Sequence, residues 1–190
     1  MDADWSIELG GDDPVLDFPW TDPAGKLAYF DLKRQPELIA KIDEGANFPG
    51  LAEFLRKVNS PRSKLESAKC DLWATTELSP EEEIFNASHK FASYVDLVFS
   101  ENRHRGSLPL YEDFARRLTE LLRRAPEINA SAQLCIRRCF FNDAAKTTEG
   151  FYYTLYVSGY GNEEGEARKS WTIAAGLAGH AIVQLSAEIA

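Results

Sequence analysis

Arginine is concentrated in the middle of this sequence, within a stretch that has no lysine from residue 91 to residue 145. Guanidinium groups bind carboxylates and phosphates through paired N–H donors, so this stretch is a candidate for holding an anionic ligand. On a predicted helix, nearby acids three or four residues away account for most of these arginines as ion pairs on a solvated face. The arginines are Arg103, Arg105, Arg116, Arg117, Arg123, Arg124, Arg137 and Arg138.

Arg137 and Arg138 differ from the others because they are adjacent in a predicted strand. Successive side chains of a strand point to opposite faces, so one of the two lies among apolar neighbours and needs a partner. Asp71 and Asp96, each inside a predicted strand, are the carboxylates that we predict as partners. Two interpretations stay open: a structural salt bridge across the sheet, and an arginine that anchors a ligand.

The strand that follows this pair is rich in tyrosine. Tyr152 and Tyr156 share one face of the predicted strand 151–158. With an arginine from the adjacent strand they would form a surface of aromatic rings and a cation. Such a surface suits a small anionic or planar ligand, a protein partner or single-stranded nucleic acid.

His104 lies in a polar segment between a predicted strand and a predicted helix, where functional residues are often found. Its neighbours Arg103 and Arg105 would lower its pKa and leave a neutral imidazole that can act as a base or a ligand. The alternative is an exposed histidine without a function. No Ser-His-Asp or Cys-His arrangement can be assembled from the sequence, so the catalytic residues of any reaction are unknown.

Other motifs argue against a cofactor or a metal. The glycines of residues 158–165 are spaced one residue too widely for a dinucleotide loop, and the acids beside them would repel phosphates. The acidic residues 12–17 lack the spacing of an EF-hand. Cys70, Cys135 and Cys139 are too few and too poorly spaced for a disulfide framework or a zinc site. We therefore predict no cofactor and no metal.

Alternation and helical periodicity predict the elements that position these residues. The predicted strands are 5–9, 15–20, 69–77, 93–99, 133–141 and 151–158, with a polar loop between the last two that contains Gly150. Residues 26–32 are predicted as a further strand, although their pattern also fits a helix. The predicted helices are 36–44, 49–59, one that starts at Ser79, 110–125 and 166–190.

The two halves of the chain resemble each other. Residues 15–22 resemble residues 94–101, and residues 48–57 resemble residues 108–117. This similarity predicts an α+β fold of duplicated ferredoxin-like β-α-β units, with an antiparallel sheet and helices mainly on one face.

One compact domain is expected from these halves. Residues 1–90 form the N-terminal half-repeat, with an insertion at about residues 23–47, and residues 91–190 form a C-terminal β-α-β-β-α half. The N-terminal strand is predicted to complete the sheet of the second half and so to tie the two together.

Charge and hydropathy restrict the class of partner. The 190 residues carry 21 basic and 30 acidic side chains, for a net charge of −9, and seven of the acids lie in residues 1–22. This balance argues against a general polyanion binder. The N-terminus lacks the basic and apolar regions of a signal peptide, and the most apolar stretch, residues 171–185, is too short to span a bilayer. We expect a cytoplasmic protein with no membrane association.

The sequence therefore favours a non-catalytic binding or protein-interaction module. Self-association through the open sheet face or the last helix is part of this prediction. The alternative is an enzyme with an anionic-substrate pocket on the sheet that uses Arg137 or Arg138, Asp96 and His104. A weaker alternative is binding of single-stranded nucleic acid through the arginine surface, although the net charge makes nucleic acid an unfavourable partner.

Overall fold

Six β-strands form one sheet in the part of the chain that the computed structural model describes, residues 1–143 and 146–189. Their order across the sheet is β1-β5-β6-β4-β3, and β2 continues the edge that β1 begins along β5. The strands are β1 Asp2–Glu8, β2 Val15–Phe18, β3 Leu65–Thr75, β4 His89–Phe99, β5 Ala130–Asp143 and β6 Lys146–Gly161.

The sheet is mixed, which corrects the prediction that it is wholly antiparallel. The pairs β3–β4, β4–β6 and β5–β6 are antiparallel, but β1 and β2 both run parallel to β5. Parallel neighbours need a long connection, and the whole chain between β2 and β5 supplies it. The N-terminal strand thus joins the C-terminal half, beside β5.

Helices α2, α4 and α5 cover one face of this sheet. Proline occupies the first turn of both α2 and α4, where its missing N–H costs no hydrogen bond. The apolar stripes of these helices face the sheet and are buried there. The helices are α1 Asp43–Asn47, α2 Pro49–Val58, α3 Asn102–Arg105, α4 Leu108–Arg123 and α5 Glu164–Ser186, with 3₁₀ turns at Pro36–Lys41 and Pro80–Phe85.

The larger hydrophobic core lies between these helices and the sheet. Trp171 of α5, Tyr111 of α4 and Tyr153 of β6 are fully buried in it. A smaller cluster lies on the opposite face, where Leu16 and Phe18 of β2 pack with Phe141 and Tyr152. We call the helix-covered side the helix face and the other side the open face. The predicted mixed α+β class is confirmed.

Several predicted elements have different limits. Residues 26–32, predicted as a strand, contribute only an isolated bridge between Thr21 and Ala28 in the described chain. The Asp22 carboxylate accepts the Leu27 N–H and closes a tight hairpin there. The predicted helix 36–44 is a 3₁₀ turn followed by the short helix α1.

The last hairpin is longer than predicted. Gly150, expected in a loop, lies inside β6, because pairing continues as far as Asp143 and Lys146. Residues 144–145 of the predicted loop lie outside the described residues. Helix α5 ends at Ser186, and Ala190, the predicted end of that helix, also lies outside them.

Candidate functional site

A row of polar side chains crosses the open face through the middle of four strands. Arg137 of β5 contacts Glu8 of β1 twice, through Nε at 2.8 Å and Nη2 at 2.7 Å. Its Nη1 donates to Oγ1 of Thr154 on β6 at 2.8 Å. The Thr154 hydroxyl donates in turn to Oδ1 of Asp96 on β4 at 2.7 Å. Cross-strand register places these residues side by side, because paired residues share a face.

The carboxyl groups at the two ends of this row, Glu8 and Asp96, have pKa values that are shifted in opposite directions. Burial raises the pKa of Asp96 to about 6. The Thr154 hydrogen bond and the charges of Lys69 and Arg137 lower this pKa, but only in part. Burial also acts to raise the pKa of Glu8, but the Arg137 guanidinium outweighs it and lowers that pKa. Arg137 is therefore matched by Glu8, whereas Asp96 has only the Thr154 hydroxyl as a hydrogen-bond partner among the described residues.

Tyr156 borders this row and contacts Arg137. Its hydroxyl accepts from Nη1 of Arg137 at 3.2 Å, and the guanidinium lies 5.7 Å from the centre of its ring. Tyr94, opposite Tyr156 on β4, has its ring 6.3 Å away. Tyr152 also points to the open face, but it is buried in the smaller cluster beneath Leu16 and Phe18.

The other candidates lie elsewhere. Arg138 points to the helix face, where Nη2 donates to the Leu9 carbonyl at 2.5 Å. Asp71 is exposed on β3, beside Tyr94, and makes no ion pair in the described chain. The predicted pairing of the arginines with Asp71 and Asp96 is therefore wrong, since neither arginine makes a direct ion pair with either carboxylate in the described chain. Glu8 takes that role, since β1 lies next to β5.

His104 is not an exposed loop residue, contrary to the alternative given above. It lies on α3, buried against Phe99, whose ring centre is 5.7 Å from the imidazole. Burial, and then the charge of Arg103, lower its pKa. Its Nε2 has no hydrogen-bond partner in the described chain, and the nearest carboxylate oxygen, of Glu101, is 3.7 Å away. Phe99 belongs to the helix-side core, so His104 is separated from Arg137 and Asp96.

A cavity of about 390 Å³ adjoins the open face at the β3 edge of the sheet. On one side it is bounded by five consecutive β3 residues, 67–71, and on the other by the segment 20–44. We call it the edge cavity. The segment is held to β3 by the Trp20 indole, which donates to the Ala68 carbonyl at 2.6 Å, and by the Lys33 ammonium, which donates to the Ser63 and Leu65 carbonyls.

The edge cavity combines an apolar wall with charges of both signs. No ion pair joins its charged side chains to any other group in the described ranges, and five of the six are exposed. The apolar residues include Trp20, Phe30, Leu32, Ile42 and Leu55, and the charged residues are Lys26, Lys41, Lys69, Asp43, Glu44 and Asp71.

Cys70 brings a thiol, a potential nucleophile, to the edge cavity, but the surroundings of the thiol keep it protonated. Burial, and then the charges of Glu44, Asp71 and Asp96, raise the pKa of the thiol to about 12. The thiolate is the nucleophile, and at neutral pH almost none is present. Glu44 and Asp71 line the same cavity as the thiol.

The structure brings Arg137, Asp96 and Tyr156 together on the open face and places Asp71 at the edge cavity. The sequence did not indicate Glu8, Thr154 or the edge cavity. A signal for Glu8 does exist, since alternation in the first strand places Asp2, Asp4, Ser6 and Glu8 on one face. The cavity has no such signal, because it forms between segments that are distant in sequence.

Comparison with known proteins adds no further constraint. No protein family model, no curated protein and no solved structure matches this chain. Within residues 1–143 and 146–189, no group of three or more His, Cys, Asp or Glu side chains is arranged to hold a metal ion. In the same ranges, none of the helices has the length and apolar character needed to cross a membrane.

Proposed function

We propose that this chain is a non-catalytic binding module whose edge cavity holds a small zwitterionic ligand with an apolar body. The observation that carries the proposal is the coexistence of an apolar wall with unpaired lysines and unpaired acids around one cavity of about 390 Å³. This volume is in the range of small-molecule sites, which are mostly apolar with a few polar groups that fix orientation.

The charges around the cavity favour a ligand with both signs. Lys69 lies 5.3 Å from the centre of the Trp20 ring and provides a cationic end. Glu44 and Asp71 line the cavity with Cys70 and provide acidic groups. A ligand with both an ammonium and a carboxylate can pair with both kinds of group, whereas a ligand with one charge can pair with only one. A free amino acid with an apolar side chain has the required chemistry.

The one thiol among the described residues that line the edge cavity is not activated, which is in line with a binding role. The Cys70 thiol is protonated at neutral pH, and Arg137 is occupied by Glu8. The enzyme alternative needed Arg137 or Arg138, Asp96 and His104 at one pocket, and these residues are divided between the open face, the helix face and α3. No observation favours that alternative over binding.

Nucleic-acid binding has no better support. In the described chain, six of the eight central arginines pair with carboxylates: Arg103, Arg105, Arg116, Arg117, Arg123 and Arg137. A cationic surface for phosphates needs free charges, and few remain here.

Titration of ¹⁵N-labelled protein with L-phenylalanine tests the proposal. We expect saturable shifts of the Trp20 indole N–H signal and of amides in residues 67–71. N-acetyl-L-phenylalanine lacks the ammonium group and L-phenylalaninamide lacks the carboxylate. Each should bind at least about tenfold more weakly, since each loses one charged contact of about 1.4 kcal/mol or more.

A matched pair of variants separates the cavity from the rest of the surface. Ala28→Trp fills the cavity wall and should abolish the shifts, whereas Ala24→Trp lies in the same hairpin outside the cavity and should not change them. Equal binding by both variants, or equal binding of the three compounds, would contradict the proposal.

The finer fold assignment belongs to this proposal as well. Strands β4 and β5 run in the same direction with β6 between them and α4 as their connection, which is the split β-α-β arrangement of ferredoxin-like folds. In the first half, β2 and β3 run in opposite directions with three strands between them. The duplication thus rests on sequence similarity alone. The proposed cytoplasmic location likewise rests on the sequence alone, on features such as the sparse cysteines.

A further inference from the structure

An exposed apolar patch lies on the helix face at the end of the sheet farthest from the edge cavity. Ile7 of β1, Val15 of β2 and Phe140 of β5 are 41%, 47% and 36% exposed. Ile7 pairs with Ile136, Val15 pairs with Arg138, and Phe140 pairs with Asp17. Ile136, Arg138 and Phe140 are every second residue of β5, so all three patch residues lie on the same face. These exposures show that the patch faces solvent. We call it the distal patch.

Two acids flank Phe140 in its own row of the sheet. Asp17 lies beside it on β2, and Glu149 lies beside it on β6. Both acids are exposed, and neither makes an ion pair within the described ranges. Arg138 lies beside Val15 on the same face and keeps its charge, because its Nη2 donates to the neutral Leu9 carbonyl. The Phe140 row of the patch presents an apolar centre between two exposed acids that have no ion-pair partner in the described ranges.

The spacing of these charges identifies a partner. Neighbouring strands are about 4.8 Å apart, so acids on β2 and β6 are about 10 Å apart across Phe140. An α-helix rises 1.5 Å per residue, so side chains seven positions apart are separated by about 10.5 Å on one face. We propose that the distal patch docks an amphipathic helix of a partner protein, with Lys or Arg seven positions apart and apolar residues midway between them.

Charge complementarity favours a basic partner over a second copy of this chain. Arg117 and Arg124 of the α4 region have the required spacing, but Arg117 is already bound to Glu188. The distal patch also lies at the opposite edge of the sheet from the edge cavity. A partner helix and a cavity ligand can therefore be bound at the same time, and this proposal does not depend on the ligand.

Binding of a labelled synthetic helix tests it. The probe is a fluorescein-labelled helical peptide with Lys at two positions seven apart and Leu at the third and fourth positions between them. The control peptide has Glu in place of both Lys. We expect the anisotropy of the basic peptide to rise saturably with protein concentration, and its affinity to fall as salt is added. The acidic peptide should not bind.

Matched variants locate the site. Asp17→Asn combined with Glu149→Gln keeps the shape of the patch, and Phe140→Asp removes its apolar centre. Each should weaken binding of the basic peptide at least about tenfold. Two controls, Ile173→Asp on α5 and Glu127→Gln combined with Glu163→Gln, alter exposed residues elsewhere and should bind as the unmodified protein does.

Other outcomes overturn the proposal. Equal binding by the acid-neutralised variant and its control would mean that the net charge of −9 attracts the peptide without a site. Self-association of the protein that Phe140→Asp abolishes would mean that a second copy occupies the patch. The acid-neutralised variant keeps its apolar contacts, so a folding defect in Phe140→Asp does not decide the result.

Discussion

Asp96 is the residue whose chemistry the fold changes most. An aspartate in the middle of a strand was predicted to face a guanidinium, yet it contacts a threonine hydroxyl that separates it from Arg137. Burial without a direct cation disfavours the carboxylate, which explains the raised pKa. The sequence indicated Asp96 but not its partner Thr154, because the register between β4 and β6 sets that partner.

We expect Asp96 to make the protein less stable as pH rises from about 4 to about 6. In that interval the folded protein retains a proton on Asp96 that the unfolded chain has lost, so the free energy of unfolding falls with increasing pH. Asp96→Asn cannot ionise and should be more stable than the unmodified protein at pH 7.5 by about 1–3 kcal/mol. At pH 4 the difference should nearly vanish. Urea unfolding at both pH values measures it.

Asp71→Asn is the control for this experiment. Asp71 is exposed and lies on the neighbouring strand, so its replacement should change the stability little at either pH. A gain at pH 7.5 that equals that of Asp96→Asn would show that general charge repulsion, rather than burial of Asp96, is responsible.

At the scale of elements, α5 lies directly on β6 because glycine removes the side chain between them. A Cβ atom at Gly159 would lie 2.1 Å from the Trp171 nitrogen and 2.3 Å from the Ala167 carbonyl oxygen. At Gly179, a Cβ would lie 3.3 Å from side-chain atoms of Phe54 and Lys57 on α2. Gly179 of α5 therefore allows close packing against α2 inside the chain.

Gly159→Ala should destabilise the protein by at least about 3 kcal/mol, since the clash is with backbone that cannot move independently. Gly176→Ala, in the middle of α5, meets no atom within 4 Å and should stabilise by about 0.5–1 kcal/mol through helix propensity. Thermal unfolding followed by circular dichroism compares the two. A mild effect at Gly159 would contradict the close packing of α5 on β6.

Aspartates also protect the edges of the sheet. Asp2 and Asp4 in β1 accept the N–H groups of Ala3 and Trp5, and Asp71 in β3 accepts the N–H of Leu72. Backbone donors at an exposed edge invite pairing with another chain. Part of the N-terminal acidity therefore has a local structural role that composition alone does not reveal.

At the scale of the whole molecule, the sheet has one face covered by helices and one face only partly covered. The segment that includes Leu16, Phe18 and Tyr29 covers one end of the open face. At the other end, Phe85 stacks on Tyr160 at 4.0 Å between ring centres. Between them the surface is polar, with Tyr94 and Tyr156 partly exposed.

Self-association through this open face or through the last helix stays a prediction, and sedimentation velocity checks it. A dimer formed by the open face should be lost in Tyr156→Asp, whereas a dimer formed by α5 should be lost in Ile173→Asp, which alters an exposed residue of that helix. A strictly monomeric unmodified protein at all concentrations would contradict both routes.

The sequence by itself determined the types of element and most of their positions. Apolar periodicity, proline at helix starts and alternation in strands depend on neighbours in the chain, so the helices α2 and α4 and the hairpin of β5 and β6 were predictable. The same alternation correctly divided Arg137 and Arg138 between two faces.

Only the tertiary structure decided which strands are neighbours. The parallel placement of β1 beside β5 brings Glu8 to Arg137 across 129 positions in sequence, and the folding of residues 20–44 against β3 creates the edge cavity. Long-range pairing depends on the packing of the whole chain, because a strand's local pattern fixes which face is buried but not which partner lies beside it.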